Sequence, residues 1–225
     1  MSLLNASIPI EKFNPNKDKL ALMLKSFTIT VKDEGIGKKK RLYSEPYFVG
    51  LSISESGFGT QQINFVTDAY PKTRKDDRRE FLGNGMRVYG PENPGAFLVF
   101  DILVMESDSD IRAVGESIRN IMNSKEIKST ILPLLAVNPS MAVAKEVLTA
   151  TANLVGKILE DNKDDHLLRV HGTLMRDVMG SNSLPFNVGQ IISDKNDFAS
   201  VEFEVLGIKN NTRYKPKTEQ ISAVG

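Results

Sequence analysis

Three carboxylates stand at every second position directly after a long apolar segment. The segment covers residues 96–105, and Glu106, Asp108 and Asp110 follow it. Like charges this close together repel one another, so water or a cation must offset them. Calcium takes about six to eight oxygen ligands, many of them carboxylates, on flexible loops. The spacing therefore predicts a calcium site here; the alternative is that Asp110 caps a helix and the other two side chains are solvated.

A basic run is the second candidate for chemistry. It consists of Lys38, Lys39, Lys40 and Arg41. Near a loop tip, each of these cations could attract an anionic lipid surface by about 1 kcal/mol. The simpler alternative is a solvated hairpin tip that protects a sheet edge from aggregation.

Motifs for catalysis and cofactor binding are absent from the sequence. It contains no phosphate-binding glycine loop, no dinucleotide-binding glycine pattern and no stripe of aromatic and basic residues typical of nucleic-acid binding. His166 and His171 are five residues apart on an expected strand, which predicts that they lie on opposite faces. We therefore predict no enzymatic activity and no nucleic-acid partner. A hydrolase that uses the carboxylates is the weakest alternative, because no base, nucleophile and donor set can be assembled.

Length and composition are those of an ordinary folded protein. The chain has 225 residues, of which 40% are hydrophobic and 25% charged, and its formal net charge is +1. With so little net charge, any electrostatic function must be local. The lack of cysteine excludes disulfides, zinc–thiolate sites and thiol nucleophiles. No secretion signal and no run of about 18 apolar residues occurs, so we expect a cytoplasmic protein without a transmembrane segment.

Alternating apolar residues predict strands on both sides of a helical block. A helical spacing of apolar residues occurs at 111–122 and again at 139–160, where Asn138-Pro139 is a typical helix start. The stripe on the second helix predicts packing on a sheet, with a partner helix as the alternative. Turns are expected at Gly90-Pro91 and at Asn93-Pro94-Gly95. Strands are expected at residues 20–31, 46–54, 63–67, 81–89, 96–105, 167–175 and 199–206.

This order of elements predicts a mainly β fold, an antiparallel β-sandwich with inserted helices. We expect a single domain over residues 1–210, with a helical insertion at 110–160 and a polar tail at 211–225. The alternative is two domains that divide near Asp110.

Several short motifs follow one another in a characteristic order. Val31-Lys32-Asp33 precedes a glycine-containing loop, Ser44-Glu45-Pro46-Tyr47-Phe48-Val49 opens the next strand, and Glu106-Ser107-Asp108 comes later. This order resembles that of the C2 domain, the calcium- and lipid-binding β-sandwich, which has an Asp-x-Asp pair where Glu106-Ser107-Asp108 stands. The resemblance covers about residues 20–120. Glu45 and Glu106 depart from the family, which has aspartates there, and the helical block has no counterpart in it.

The resemblance implies one calcium site built from two loops. Asp33 and Glu45 would come from one loop and Glu106 and Asp108 from the next, with Asp110 nearby. It implies a non-catalytic binding protein that contacts a membrane surface or a protein partner, with the basic run facing the anionic partner and Ca²⁺ as the candidate cofactor. The alternative is a structural subunit of a larger assembly, such as a secretion or viral particle, which binds no small ligand and forms oligomers.

Overall fold

Strands make up most of the structure. The computed structural model describes residues 8–9, 13–30, 43–55, 61–70, 73–106, 141–161, 165–178, 184–210 and 212–215. The elements in these residues are β1 (Ile8–Pro9), β2 (Lys19–Ile29), β3 (Tyr43–Ser44), β4 (Pro46–Glu55), β5 (Gln61–Ala69), β6 (Thr73–Arg74), β7 (Arg79–Glu80), β8 (Met86–Glu92), β9 (Phe97–Glu106), α1 (Met141–Asp161), β10 (Asp165–Met175), β11 (Ile191–Lys195), β12 (Ala199–Lys209) and β13 (Thr212–Lys215).

Two large sheets and one small one contain these strands. In the first sheet β2 and β12 are central, and β1, β7, β8, β11 and β13 surround them. The second sheet has the order β10-β9-β4-β5, and β3 pairs with β6 separately. All of these pairs are antiparallel except β1 with β13. The predicted mainly β, antiparallel sandwich-like fold is therefore confirmed.

The two large sheets share one hydrophobic core. Alternate residues of β2 and β12 point into it, and so do alternate residues of β9, because successive side chains of a strand lie on opposite faces. The β9 members are Leu98, Phe100, Ile102 and Val104, and they belong to the same buried cluster as Leu22 and Leu24 of β2 and Phe203 and Val205 of β12.

Helix α1 covers the other face of the second sheet, near β9 and β10. Among its described side chains, the buried ones are Val147, Thr151, Leu154 and Val155, which form one stripe at helical spacing. The predicted helix at 139–160 and its packing on a sheet are thus confirmed. Since β9 is covered on both faces, its residues 97–105 are all buried, which explains the continuous apolar run in the sequence. The helix expected at 111–122 lies outside the described residues.

The predicted turn at Gly90-Pro91 is wrong, because β8 continues through it to Glu92. The pairing of β2 with β8 shifts register at this point, so the two residues form an irregularity inside the strand. Gly90 has a φ of +78°, and a Cβ atom there would lie 2.0 Å from the carbonyl oxygen of Leu20. Only glycine fits such a close approach of two backbones.

Residues 212–215, which were expected in a polar tail, form strand β13 of the first sheet. β13 pairs with β12 and with β1. The side chain of Arg213 donates a hydrogen bond to the carboxylate of Glu204 on β12. Glu204 is itself buried. A polar segment can therefore join this sheet at its edge, where a charged side chain finds a partner. The short, mostly exposed strand β11, which the sequence analysis missed, also pairs with β12.

Candidate functional site

Carboxylates from three neighbouring strands stand at one end of the second sheet. Glu106, the last residue of β9, is the register partner of Pro46 on β4 and of Asp165 on β10. Glu45 directly precedes Pro46. Neighbouring strands lie about 4.7–4.9 Å apart, so Glu45, Glu106 and Asp165 share this end of the sheet, which we call the acidic end.

The acidic end contains two of the five carboxylates that the sequence analysis selected for a metal site. Glu45 and Glu106 come from segments about 60 residues apart, and the sheet brings them to adjacent strands. Asp33, Asp108 and Asp110 lie outside the described residues, as do Lys38, Lys39, Lys40 and Arg41. Sequence reasoning missed Asp165; its place at the start of a strand that follows a helix was the available signal.

The chemistry of the acidic end suits a hard cation, since carboxylate oxygens are the ligands that calcium prefers. Glu45 and Asp165 are exposed, and Glu106 is half-buried. Within the described ranges, no three acidic or histidine side chains are grouped closely enough to hold a metal ion. An ion here would therefore need further oxygens from the chain around these three residues.

A second polar group lies on the helix-covered face of the second sheet. Asp101 belongs to β9, between residues that point into the sandwich core, so its side chain points to the opposite face. It is only 1% exposed. Arg169 of β10 donates from Nε to both carboxylate oxygens, at 3.1 and 3.2 Å, and from Nη2 to Oδ2 at 2.5 Å.

Burial and ion pairing act on Asp101 in opposite directions. Burial raises the pKa of the Asp101 carboxyl, because a low-dielectric environment penalises its charged form. The hydrogen bonds and charge of Arg169 lower the pKa of Asp101, as do the charges of His171 and His166 to a smaller degree. The guanidinium thus supplies the hydrogen bonds that a buried carboxylate requires, and the pair fastens β9 to β10.

The prediction that His166 and His171 lie on opposite faces is wrong. His166 is the register partner of Met105 and His171 that of Asp101, and these two partners are on one face of β9. The reason is a β-bulge between His166 and Leu168. Leu167 and Leu168 both point into the sandwich core, so the alternation resumes one residue late. Two adjacent leucines in an otherwise alternating strand were the signal.

The two histidines therefore flank Arg169 on the helix-covered face. Burial lowers the pKa of His166 below its usual value of 6.5, and the nearby positive charge of Arg169 contributes in the same direction. Both effects favour the neutral form of this imidazole. The arrangement can place the two imidazole rings on the same face as a carboxylate and a guanidinium that already satisfy each other.

Comparisons of the sequence with known protein families and with curated proteins find no match. The resemblance to the C2 domain therefore rests on the sequence motifs. The described residues show a β-rich, sandwich-like fold that is not specific to that family. In that part of the chain, no helix is both long and apolar enough to cross a membrane.

Proposed function

We propose that this protein is a non-catalytic binding protein that contacts an anionic membrane surface through the acidic end, with calcium as the bridging ion. The observation that supports the proposal is the register of Glu106, which lies between Pro46 and Asp165. Because of this register, carboxylates from distant parts of the chain occupy one end of one sheet. Two of them, Glu45 and Glu106, were selected from the sequence for the same site.

The sequence around the acidic end offers the additional oxygens that calcium needs. Asp108 follows Glu106 by two residues, and Asp110 follows by four. The segment that precedes β4 contains Asp33 and the basic run of Lys38 to Arg41. In the proposed complex, calcium neutralises the carboxylates and binds lipid phosphates, and the basic run adds about 1 kcal/mol of attraction for each cation near the surface.

Thermal unfolding with and without calcium tests the ion. A ligand that binds only the folded protein stabilises it, by about 2.7 kcal/mol at a concentration 100 times the Kd. We expect millimolar calcium to raise the melting temperature, and Asp108→Asn and Glu106→Gln to abolish the rise. Asp77→Asn is the matched control, since Asp77 is an exposed carboxylate paired with Arg79 outside the acidic end. If the wild-type melting temperature does not change with calcium, the proposed ion is wrong.

Sedimentation with vesicles tests the partner. Vesicles that contain phosphatidylserine should retain the protein in calcium and release it in chelator, whereas vesicles of phosphatidylcholine alone should not bind. Replacing Lys38, Lys39, Lys40 and Arg41 with glutamine should weaken retention without changing the calcium-dependent melting temperature. Equal binding to both kinds of vesicle would contradict the membrane proposal, and a calcium-dependent melt without vesicle binding would indicate a protein partner instead.

A structural subunit of a larger assembly is the second candidate, and the outer strands of the second sheet favour it. β5 has nine residues and β10 has eleven, and each pairs with one other strand in the described part of the chain. Long sheet edges can pair with another chain. Light scattering over a dilution series tests this function: a large, concentration-dependent particle together with a calcium-independent melt would favour assembly over the calcium-dependent function.

A further inference from the structure

The turn between β7 and β8 holds the sole Asn-Gly pair of the chain, Asn84-Gly85. β7 and β8 both pair with β2, and the residues between them leave the sheet edge and return to it. Asn84 is exposed, and its neighbour Leu82 is 96% exposed. A Cβ atom at Gly83 would meet nothing within 4 Å. The side chain of Asn84 is therefore accessible to solvent.

We propose that Asn84 is a site of spontaneous deamidation and that Lys25 promotes the reaction. The backbone nitrogen of Gly85 attacks Cγ of Asn84 and loses its proton, the side-chain amide leaves as ammonia, and a five-membered succinimide forms. Water then opens either carbonyl of this ring and gives aspartate or isoaspartate. The overall reaction consumes one water and releases one ammonia, and it needs no oxidant or cofactor.

Two features of Gly85 favour this reaction. Glycine at position 85 has no Cβ atom to hinder attack by its own nitrogen. Its N–H donates a hydrogen bond of 3.3 Å to the carbonyl oxygen of Leu82, which lies beyond the usual range for such bonds, so the nitrogen itself is weakly held. The backbone of Gly85 lies close to Leu24, whose carbonyl oxygen would be 2.3 Å from a Cβ atom at position 85, so the attack requires a local opening of the turn.

Lys25 binds the carbonyl oxygen that gains negative charge during the attack. Its ammonium donates to the backbone oxygen of Asn84 at 3.1 Å. When the Gly85 nitrogen loses its proton, the charge spreads onto this oxygen, and a fixed cation there stabilises it. Lys25 is held in place by Glu204, with Nζ 3.4 Å from Oε2. The Lys25 side chain is 24% exposed, so its effect should be smaller than that of a donor in a water-excluded site.

Deamidation adds a negative charge at the turn and thereby lowers the net charge of the chain. A carboxylate at position 84 would lie beside Lys25 and compete with Glu204 for its ammonium. The formal net charge would fall from +1 to zero. A protein without net charge associates more readily, so the modified fraction should aggregate first.

Peptide mass spectrometry of protein aged at mildly alkaline pH tests the proposal. We expect position 84 to acquire the mass of a carboxylate, as both aspartate and isoaspartate, and Asn84→Gln to stay unchanged. Lys25→Met should slow the reaction roughly tenfold, below the about 10²–10³-fold effect of a buried oxyanion donor, and Lys25→Arg should restore the rate.

Glu204→Gln serves as the control for loosening of the turn, because it removes the ion pair but keeps the Lys25 ammonium. A free peptide of residues 81–87 serves as the reference. If the peptide converts while the folded protein does not, the site is wrong. If Lys25→Met reacts as fast as the wild type or faster, the role of Lys25 is wrong.

Discussion

Among single residues, Asp101 and Arg169 form an ion pair in which the carboxylate is fully buried. Removing one partner of a buried ion pair costs about 3–5 kcal/mol, because the other charge stays buried and unpaired. We expect Arg169→Met to cost about 3 kcal/mol, near the lower limit, since Arg169 is 25% exposed. Denaturant unfolding measures this cost.

The control for this prediction is Arg176→Met. Arg176 pairs with Asp177 at the surface, and such pairs contribute about 0–1 kcal/mol. The double variant Asp101→Leu/Arg169→Met should lose less stability than Arg169→Met alone, since it leaves no buried charge. A double variant that is less stable than the single one would contradict this account of the pair.

His166 predicts a dependence of stability on pH. Its pKa in the folded protein lies below the usual 6.5, so the unfolded chain takes up a proton at a pH where the folded protein does not. Stability should therefore fall as the pH drops below 6.5, until the folded His166 is protonated as well. Denaturant unfolding over a pH series should show this decline in the wild type and a smaller decline in His166→Gln. Identical curves would contradict it.

Asp101 affects the pH dependence of stability in the direction opposite to that of His166. Burial raises its pKa in the folded protein, so the folded state binds this proton more readily than the unfolded chain, and stability rises as the pH falls through that raised value. In Arg169→Met the pKa of Asp101 should rise further, because its counter-charge is gone. The loss of stability caused by Arg169→Met should therefore be smaller at acidic pH. Denaturant unfolding over the same pH series measures this difference.

Sequence reasoning selected Glu45 and Glu106 but not Asp101. The first two follow a visible pattern, charges at the ends of apolar strands. Asp101 lies inside an apolar strand, where the sequence does not indicate that Arg169, 68 residues later, supplies its partner. That partnership depends on the register of β9 with β10, which the bulge at His166 shifts by one residue.

At the scale of elements, two glycines with positive φ provide a matched test of the irregularity in β8. Gly83 has a φ of +65° and open space around it, whereas Gly90 has a φ of +78° and lies against the backbone of Leu20. Gly83→Ala should cost about 1 kcal/mol, for the backbone conformation alone. Gly90→Ala should cost considerably more, since its Cβ would also collide with backbone. Equal costs by denaturant unfolding would contradict the described register.

Substitutions on the buried and exposed faces of helix α1 should differ in their effect on stability. Leu154 is buried against the second sheet and Asn153 is exposed. Leu154→Ala should cost about 2–5 kcal/mol, because it leaves a cavity. Asn153→Ala should be neutral or slightly stabilising, since alanine favours helices. Circular dichroism during denaturant unfolding measures both variants, and a neutral Leu154→Ala would contradict the packing of α1.

Strong periodicity made β2, β4, β9 and α1 predictable, and their bounds agree with the expected ones to within about two residues. The small elements were not predictable in the same way. β11 is short and mostly exposed and β13 is short and largely polar, and both exist because β12 offers them backbone partners. Pairing of this kind is a tertiary effect that no local pattern records.

At the scale of the whole molecule, the fold brings together charges that are far apart in the sequence. The first sheet and α1 cover the two faces of β9. Its last residue, Glu106, is therefore held at a fixed place between β4 and β10. The sandwich could be predicted from the sequence, but the contribution of Asp165 to the acidic end could not, because it depends on which strand pairs with β9.

Calorimetric titration with calcium shows directly whether the acidic end binds a cation. We expect saturable binding to the wild type and to Asp77→Asn, and loss of binding in Glu106→Gln. Absence of binding to the wild type, or equal binding to Glu106→Gln, would contradict the proposed calcium site.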